Sequence, residues 1–232
     1  MTHRRDGGDM VGPLQQIRLP SHVRYIAIEG VIGAGKTTLC SLLQQRFGAR
    51  LLLEQAEENP FLTRFYQSRS DFAFQTQLWF LVSRYRQMSE AFVQEDLFCP
   101  VTIADYMFAK DRIFAAINLD DNELALYNTL AGALARDCAR PDFIVYLQVS
   151  TDMLMKRIQQ RGRSFEFNMD RNYIDTLNQA YNHFFFHYTR CPVLIVNGTE
   201  IDFVKRNEDL DALARQIAQA RPGANYYSPA RL

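Results

Sequence analysis

A strand, a glycine-rich turn and a helix follow one another directly between Tyr25 and Leu39, in the order Tyr-Ile-Ala-Ile-Glu-Gly-Val-Ile-Gly-Ala-Gly-Lys-Thr-Thr-Leu. From Gly30 to Thr37 the turn matches the P-loop pattern G-x-x-x-x-G-K-[ST]. Glycine lets successive backbone N–H groups curl around phosphate oxygens, and the following helix directs its positive end at the same anion. This stretch constrains the chain more than any other, because it predicts an α/β fold and a bound phosphate together.

The predicted nucleotide cradle is one continuous run: Gly30, Val31, Ile32, Gly33, Ala34, Gly35, Lys36, Thr37 and Thr38. Lys36 is expected to reach the β- and γ-phosphates of ATP or another nucleoside triphosphate, and the Thr37 hydroxyl to ligate Mg²⁺. An ordinary strand-to-helix turn can also contain glycines. The strand before this turn and the helix after it are the context that favours phosphate binding.

Further apolar segments at 51–53, 101–104, 143–147 and 192–196 read as strands, and helical patterns separate them. The helical patterns span 36–47, 60–66, 72–98, 108–117, 123–139, 151–161, 171–188 and 210–220. This alternation predicts an α/β P-loop NTPase fold, with a five-stranded parallel sheet covered by helices on both faces. The predicted organisation is a flexible leader at 1–22, a single domain at 23–220 and a C-terminal tail at 221–232.

The composition gives few hints of a macromolecular partner. Lys plus Arg and Asp plus Glu balance at 26 each, so no global field recruits nucleic acid or an anionic membrane. The four cysteines are scattered without C-x-x-C spacing, which favours free thiols in a reducing compartment. No signal peptide is recognisable, and no apolar run approaches the ~20 residues that a membrane helix needs. We therefore expect a cytoplasmic protein.

Two acidic residues follow predicted strands. Glu54 comes after the second strand and Asp105 after the third, and ligands of parallel sheets bind beyond these strand ends. Glu54 could accept the proton of an attacking hydroxyl, or it could be an exposed acidic loop residue. Asp105 could hold Mg²⁺, as the second acidic residue of P-loop proteins does, or cap a helix.

Three arginines lie within seven residues, at Arg157, Arg161 and Arg163. Arg157 and Arg161 are four residues apart on one predicted helix face, where like charges repel by a few tenths of a kcal/mol. A triphosphate would offset this repulsion, and a planar guanidinium suits a transferring phosphoryl group. Gly162 and the irregular stretch after it favour a movable, arginine-bearing lid, although a solvated basic helix end is the simpler structural interpretation.

Several motifs in order resemble the deoxyribonucleoside kinase family, most closely its bacterial deoxyguanosine/deoxyadenosine kinase branch. The resemblance covers the chain from about Tyr25 to Ile217. Its motifs are Ile28-Glu-Gly-Val-Ile-Gly-Ala-Gly-Lys-Thr-Thr-Leu39, Glu57-Glu-Asn-Pro-Phe-Leu62 with Phe65-Tyr66, Phe72-Ala-Phe-Gln75, Ala104-Asp-Tyr106 with Ile113-Phe-Ala115, and Arg161-Gly-Arg163 with Glu166.

The resemblance implies transfer of the γ-phosphoryl group of a nucleoside triphosphate to the 5′-hydroxyl of a deoxynucleoside. It also implies that the protein is a homodimer. It makes Glu54 the general base, Gln75 the residue that pairs with the base edge, and Phe114 the ring that stacks on the base. Tyr66 and Glu166 resemble the pair that holds the sugar 3′-hydroxyl. The predicted catalytic residues are then Lys36, Glu54, Arg161 and Arg163. The predicted acceptor site comprises Glu54, Tyr66, Gln75, Arg84, Asp105, Lys110, Asp111, Phe114 and Glu166.

The chain departs from the family pattern at two strand ends. Glu54 is followed by Gln-Ala where the family often has Pro-Val, so the carboxylate loses a stiff neighbour. Asp105 is followed by Tyr106, where many members carry an arginine that contacts the 5′ end of the substrate. The bacterial branch has Asp-Tyr followed by a lysine, and we hypothesise that Lys110 supplies the missing positive charge.

The base preference follows from the same resemblance. Asp111 aligns with a carboxylate that can accept hydrogen bonds from the Watson–Crick edge of guanine, which favours a purine over a pyrimidine. The arginine that the family often has seven residues after the glutamine is Val82 here, while Arg84 matches the bacterial branch. A pyrimidine deoxynucleoside kinase, a thymidylate kinase-like nucleoside monophosphate kinase and a nucleotide-hydrolysing switch protein stay open as alternatives.

Overall fold

The computed structural model describes residues 17–93, 99, 101–219 and 221–229. Within these residues six strands form one sheet in the order β2-β3-β1-β4-β5-β6, and every neighbouring pair is parallel. The strands are β1 (Tyr25–Glu29), β2 (Arg50–Leu52), β3 (Thr102–Ala104), β4 (Phe143–Gln148), β5 (Val193–Asn197) and β6 (Ala224–Tyr227).

Helices connect the strands and pack on the sheet or on one another. They are α1 (Lys36–Phe47), α2 (Leu62–Gln67), α3 (Arg69–Val93), α4 (Asp111–Asn118), α5 (Asp121–Leu134), α6 (Thr151–Arg161), α7 (Arg171–Phe186) and α8 (Asn207–Ala218). The predicted α/β fold is confirmed, and the predicted elements differ from the observed ones mostly by a few residues at their ends. The predicted helix at 72–98 begins earlier, at Arg69, and its last residues, 94–98, lie outside the described residues.

β1 lies at the centre of the sheet, between β3 on one side and β4 on the other. All five of its residues are buried, as expected for a strand covered on both faces. The chain builds β2 and β3 on one side of β1 and then crosses to build β4, β5 and β6 on the other. A crevice therefore opens beyond the carboxyl end of β1, where ligands of such sheets bind.

The prediction of five strands is short by one, and the predicted tail at 221–232 contributes the missing strand. β6 pairs with β5 in parallel, from Val193 opposite Ala224 to Val196 opposite Tyr227. Its residues are exposed or half-buried, so the segment carries no apolar run that marks a strand. Its position at the sheet edge explains this weak signal, since an edge strand is secured largely by backbone hydrogen bonds to one neighbour.

The predicted leader at 1–22 is described only from residue 17 onward, and residues 17–22 contain neither helix nor strand. Among the described residues, no helix combines the length and the apolar character that crossing a bilayer requires.

Candidate active site

The P-loop links β1 to α1 through glycines that no other residue could replace without strain. Gly33 has φ 83°, and a Cβ there would lie 3.0 Å from the Leu154 carbonyl oxygen. Gly35 has φ 97° and immediately precedes α1. The positive φ angles favour glycine because side chains crowd the backbone in this region. The turn therefore keeps its phosphate-cradling shape only with glycine at these positions.

The Lys36 ammonium folds back over this turn. It donates hydrogen bonds to the carbonyl oxygens of Gly30 at 2.8 Å and Val31 at 3.2 Å. Burial and the nearby Lys110 cation together lower the pKa of Lys36 to about 8, although neighbouring carboxylates act to raise it. An anion in the turn would favour the charged form, because an opposite charge nearby stabilises it.

Thr37 and Asp105 meet at the carboxyl ends of β1 and β3. The Thr37 hydroxyl donates to Asp105 Oδ2 at 2.6 Å, and Asp105 Oδ1 accepts from the Glu54 backbone N–H at 2.8 Å. A hydroxyl and a carboxylate this close supply the oxygen ligands that Mg²⁺ prefers. The two side chains therefore fit the predicted metal site, and Asp105 also fixes the backbone of Glu54.

The Glu54 carboxylate is held between two cations. Oε1 accepts from Arg84 Nε at 2.6 Å, and Oε2 accepts from Lys110 Nζ at 3.1 Å. Arg84 in turn pairs with Asp111 through its Nη1. Burial alone would raise the pKa of Glu54, but Arg84 and Lys110 overcome it and lower the value to about 2. Glu54 is thus ionised at neutral pH, and the alternative of an exposed loop acid does not fit its surroundings.

Two cavities meet at the P-loop. The larger, of about 780 Å³, is an open groove lined by the P-loop, by α6 and by residues 199–205. The smaller, of about 220 Å³, reaches from the P-loop to α3. Both are bordered by the same five residues, Gly33, Lys36, Thr37, Arg161 and Arg163. A molecule in one cavity would therefore face a molecule in the other across Lys36 and the two arginines.

The predicted cradle residues divide between these cavities. Those that line the larger groove are Gly33, Gly35, Lys36, Thr37 and Thr38. Ile32 faces the smaller cavity, while Gly30, Val31 and Ala34 are buried within the turn. Arg157 also borders the groove, but its guanidinium donates to the carbonyl oxygens of Ala34 at 3.1 Å and Gly198 at 2.9 Å. Arg157 thus ties the P-loop to the end of β5.

The two lid arginines each have an acidic partner. Arg161 Nε donates to Glu166 Oε2 at 3.1 Å, and Arg163 Nε lies 3.0 Å from Glu57 Oε1. Glu166 is buried and lines the smaller cavity, whereas Glu57 is exposed. The lid arginines are therefore held close to the junction of the cavities by ion pairs that an anionic ligand could replace.

The smaller cavity brings most of the predicted acceptor residues together. Its walls include Glu54, Tyr66, Arg84, Asp105, Phe114 and Glu166. Tyr66 stacks on Phe165 of the lid, with ring centroids 6.1 Å apart and planes inclined by 6°. Phe114 packs edge-on against Tyr181, at 6.0 Å between centroids. The cavity is therefore lined by rings on opposite elements, with polar groups between them.

Gln75 is not among these residues, and its predicted role does not fit the structure. Its side chain is exposed, whereas Gln77 is 2% exposed and lines the smaller cavity. Two residues correspond to about 200° of rotation around a helix, so the two glutamines of α3 point in nearly opposite directions. Gln77 Oε1 has no hydrogen-bond partner among the described residues, which leaves it available to a ligand.

A sequence signal could have identified Gln77. The family often has an arginine seven residues after its base-reading glutamine, and seven residues after Gln77 comes Arg84. This spacing is two helical turns, so both side chains lie on one face of α3. Counting from Gln75 instead leads to Val82, whose side chain is 42% exposed.

Lys110 and Asp111 are buried but do not line either cavity that meets the P-loop. Lys110 reaches the site through Glu54, and Asp111 reaches it through Arg84. Arg84 pairs with Oδ1 of Asp111, and the expectation that this carboxylate contacts the base directly stays a prediction. Lys110 contacts Glu54, as it would if it supplied the positive charge of the arginine that many family members carry after Asp105. That it supplies this charge stays a prediction.

A P-loop, a lid with two arginines and an ionised carboxylate in the cavity that adjoins the P-loop groove define a nucleotide-dependent phosphotransferase. A family model described as deoxynucleoside kinase matches residues 26–220. The chain therefore belongs to the deoxynucleoside kinase family.

Individual relatives agree with this assignment. A deoxyguanosine kinase of Bacillus subtilis (strain 168) is 36% identical over 202 residues, covering 84% of this chain and 96% of the relative. A deoxyadenosine kinase of Lactobacillus acidophilus is 29% identical over 196 residues, covering 78% and 89%. A solved structure of deoxyadenosine kinase from M. mycoides with bound dATP has a TM-score of 0.72 at 26% identity, covering 84% of this chain and 99% of that one.

Proposed function

We propose that this protein transfers the γ-phosphoryl group of ATP or another nucleoside triphosphate to the 5′-hydroxyl of a purine deoxynucleoside, in nucleoside salvage. One observation carries the proposal: Glu54 lines the smaller cavity, and Lys36 and Thr37 border both that cavity and the groove. A hydroxyl bound against Glu54 faces the phosphate cradle, and holding two reactants in this way removes much of the entropic barrier to reaction.

On the donor side, the larger groove takes the triphosphate. Phosphate oxygens replace the two carbonyl oxygens that Lys36 now contacts, and they compete with Glu166 and Glu57 for the lid arginines. Charge-assisted hydrogen bonds from lysine and arginine stabilise the charge that spreads over the transferring group. Closure of the lid over the groove would also exclude water from the reacting atoms.

Thr37 and Asp105 are the residues that would hold Mg²⁺. Their oxygens lie 2.6 Å apart in a region where the other charged neighbours include Lys36. When bound, Mg²⁺ neutralises charge on the β- and γ-phosphates and orients them for in-line attack.

On the acceptor side, Glu54 acts as the general base. Because its pKa is lowered to about 2, it is ionised and ready to accept a hydrogen bond from the 5′-hydroxyl. It takes the proton as the hydroxyl oxygen bonds to the γ-phosphorus, while the bond from that phosphorus to the β–γ bridging oxygen breaks and the nucleoside diphosphate leaves. Arg84 and Lys110 hold the carboxylate in place until the acceptor arrives.

The base lies between Phe114 and the α3 side of the cavity, where it meets Gln77 and Arg84. An amide offers both a donor and an acceptor, and arginine offers donors only, so the two side chains together can match the N7 and O6 acceptors of guanine or the N7 acceptor and N6 amino donor of adenine. The similarity to a deoxyguanosine kinase from B. subtilis supports a purine, with deoxyguanosine and deoxyadenosine as the candidates.

The decisive experiment is one panel with purified protein, ATP and Mg²⁺, in which each of the four deoxynucleosides and thymidylate is offered as acceptor. We expect phosphorylation of a purine deoxynucleoside with the highest kcat/KM. A preference for deoxycytidine or thymidine would correct the base assignment alone. Phosphorylation of thymidylate only would favour a monophosphate kinase, and ATP hydrolysis independent of acceptor would favour a switch protein; either result overturns the proposal.

We also propose that the protein is a homodimer that buries an exposed apolar face of α3 and α5. Leu126 and Leu130, one turn apart on α5, are 53% and 38% exposed, and Val82 of α3 is 42% exposed. α3 and α5 pack against each other. Burying such a patch across a two-fold axis is the usual route to a dimer.

Light scattering after gel filtration tests the dimer. We expect twice the mass of the chain for the unmodified protein and for the control Phe186→Glu, whose parent side chain is 67% exposed on α7. Leu126→Glu combined with Leu130→Glu should give the monomer mass. A monomer mass for the unmodified protein contradicts the proposal.

Finally, we propose a cytoplasmic location and small-molecule partners only. All four cysteines are free thiols, which is typical of a reducing compartment. The balance of 26 basic and 26 acidic residues gives no general attraction for nucleic acid.

A further inference from the structure

Glu29, the last residue of β1, is a buried carboxylate that the catalytic scheme above does not use. It is 0% exposed, and its Oε1 accepts a hydrogen bond from the Met107 backbone N–H at 2.7 Å. Its Oε2 is also buried and has no hydrogen-bond partner within the described part of the chain. A buried polar atom without a partner costs folding free energy, so its persistence in a site calls for a functional reason.

The surroundings of Glu29 are those of the reacting site. Met107 belongs to the segment that carries Asp105 and Lys110, so the Glu29–Met107 hydrogen bond joins this segment to the strand before the P-loop. Burial raises the pKa of Glu29, and the net value is about 7 even though Lys110 and Lys36 lower it. The Lys110 backbone N–H donates to the Met107 carbonyl oxygen at 3.2 Å, and the Lys36 ammonium donates to the carbonyl oxygen of Gly30, the next residue after Glu29, at 2.8 Å. Both lysines therefore lie near Glu29, although neither forms an ion pair with it in the described structure.

The two cations that hold Glu54 differ in what supports them. Arg84 has a second carboxylate partner in Asp111. Lys110 is buried, and its one hydrogen bond in the described structure goes to Glu54 Oε2, while the Tyr106 ring lies 5.8 Å from its Nζ. An ammonium group has three donors, so Lys110 can bond to a further acceptor. Asp111 is the second carboxylate partner of Arg84, and the unpartnered Oε2 of Glu29 can take the same role for Lys110.

We propose that Glu29 is a positioning residue. Its free Oε2 accepts a hydrogen bond from the Lys110 ammonium when the acceptor hydroxyl replaces Lys110 as the hydrogen-bond donor to Glu54. This inference rests on the proposed function, because it requires a hydroxyl that competes for the Glu54 carboxylate. Without a second acceptor, Lys110 would lose at that moment the one hydrogen bond that its ammonium makes to the described residues, and a buried ammonium with no partner is strongly disfavoured. With Glu29 in place, Lys110 stays charged and close to Glu54 through the reaction.

A double-mutant cycle between Glu29 and Lys110 tests the proposal. Glu29→Gln keeps an oxygen for the Met107 N–H but replaces the free carboxylate oxygen with an amide group. In the unmodified background we expect kcat to fall roughly 10- to 100-fold while the KM values for both substrates change less than about threefold. In the Lys110→Met background, the same Glu29→Gln change should cost less than about twofold, because residues that act through one another give non-additive effects.

Three outcomes overturn the inference: equal losses from Glu29→Gln in both backgrounds, an unchanged kcat in Glu29→Gln, or an unchanged kcat in Lys110→Met. Equal losses mean that Glu29 only supports the P-loop or the fold. If Glu29→Gln does not fold, the same comparison uses Glu29→Asp, which keeps the charge but is too short to bond Met107 and Lys110 together. Failure of the proposed function is recognisable separately, since the unmodified protein then phosphorylates no deoxynucleoside.

Discussion

The two glutamines of α3 offer a matched pair that tests how the acceptor site reads its base. Gln77 lines the smaller cavity and has an unpartnered Oε1, whereas Gln75 is exposed on the same helix. Gln77→Ala and Gln75→Ala remove the same atoms two residues apart. Only the first should impair recognition of the deoxynucleoside.

The magnitude follows from hydrogen bonds to the base. Truncating Gln77 leaves polar groups of the buried base without partners, which costs roughly 1–3 kcal/mol, or about 5- to 150-fold in kcat/KM. Truncating Gln75 at the surface should stay within roughly 0.5 kcal/mol, or about twofold. In the ligand-free protein neither change should lower the unfolding temperature by much, because the Gln77 Oε1 makes no hydrogen bond there.

Steady-state kinetics with saturating ATP measure the effect, using the preferred deoxynucleoside and the three others. For Gln77→Ala we expect a lower kcat/KM for the preferred base and a smaller ratio between bases, since the discriminating contact is gone. A large loss in Gln75→Ala with none in Gln77→Ala would refute the orientation of α3 relative to the cavity. Equal, small effects of both changes would refute base reading by either glutamine.

Three further predictions concern single residues of the site. Glu54→Gln should lower kcat at least ~100-fold with a modest change in acceptor affinity, the usual scale for a general base, and near-normal turnover would remove Glu54 from the mechanism. The pKa of Glu29 is about 7 in the folded protein and ordinarily about 4.5, so the folded state binds more protons than the unfolded state between these pH values. The free energy of unfolding should therefore fall by about 3 kcal/mol as the pH rises from 4.5 to 7. Denaturant titrations from pH 5 to 8 should therefore show a flatter pH dependence in Glu29→Gln, and an unchanged slope contradicts the burial argument. Gly33→Ala should lower both the free energy of unfolding and the affinity for ATP, because the new Cβ would lie 3.0 Å from a backbone carbonyl oxygen. The control Gly132→Ala, which has open space around it in α5, should raise the free energy of unfolding by up to about 1 kcal/mol. Calorimetry and nucleotide titration compare the two variants.

Glu54 illustrates how the proposed mechanism depends on opposing charges. In the ligand-free site its pKa of about 2 reflects Arg84 and Lys110 outweighing burial. Because the folded value lies below the ordinary one, the stability that Glu54 contributes is present above about pH 4.5 and is lost as the pH falls towards 2. This interval lies below the one in which Glu29 titrates, so acid titration separates the two carboxylates.

Local patterns in the sequence were sufficient for the fold class and for the polar ends of the strands. The P-loop needs glycines and a lysine at fixed spacing, so its residues identify it without tertiary information. Glu54 and Asp105 were found for a similar reason: each directly follows a short apolar strand, and a parallel sheet brings such strand ends to one edge. The residues of the lid were recognised from their arginines and from family motifs.

Only the tertiary structure decided which side chains face the cavity. One residue corresponds to about 100° around a helix, so a choice between Gln75 and Gln77 depends on how α3 packs and not on its composition. Packing likewise placed Asp111 behind Arg84, and it added β6 from a segment without an apolar run. Glu29 is the clearest case: in the sequence it is the end of a strand, while in the fold its carboxylate is buried against the Met107 backbone, in the segment that carries Lys110. The sequence by itself determined the P-loop and the strand-end carboxylates because those signals are local, whereas burial and charge pairing depend on residues far apart in the chain.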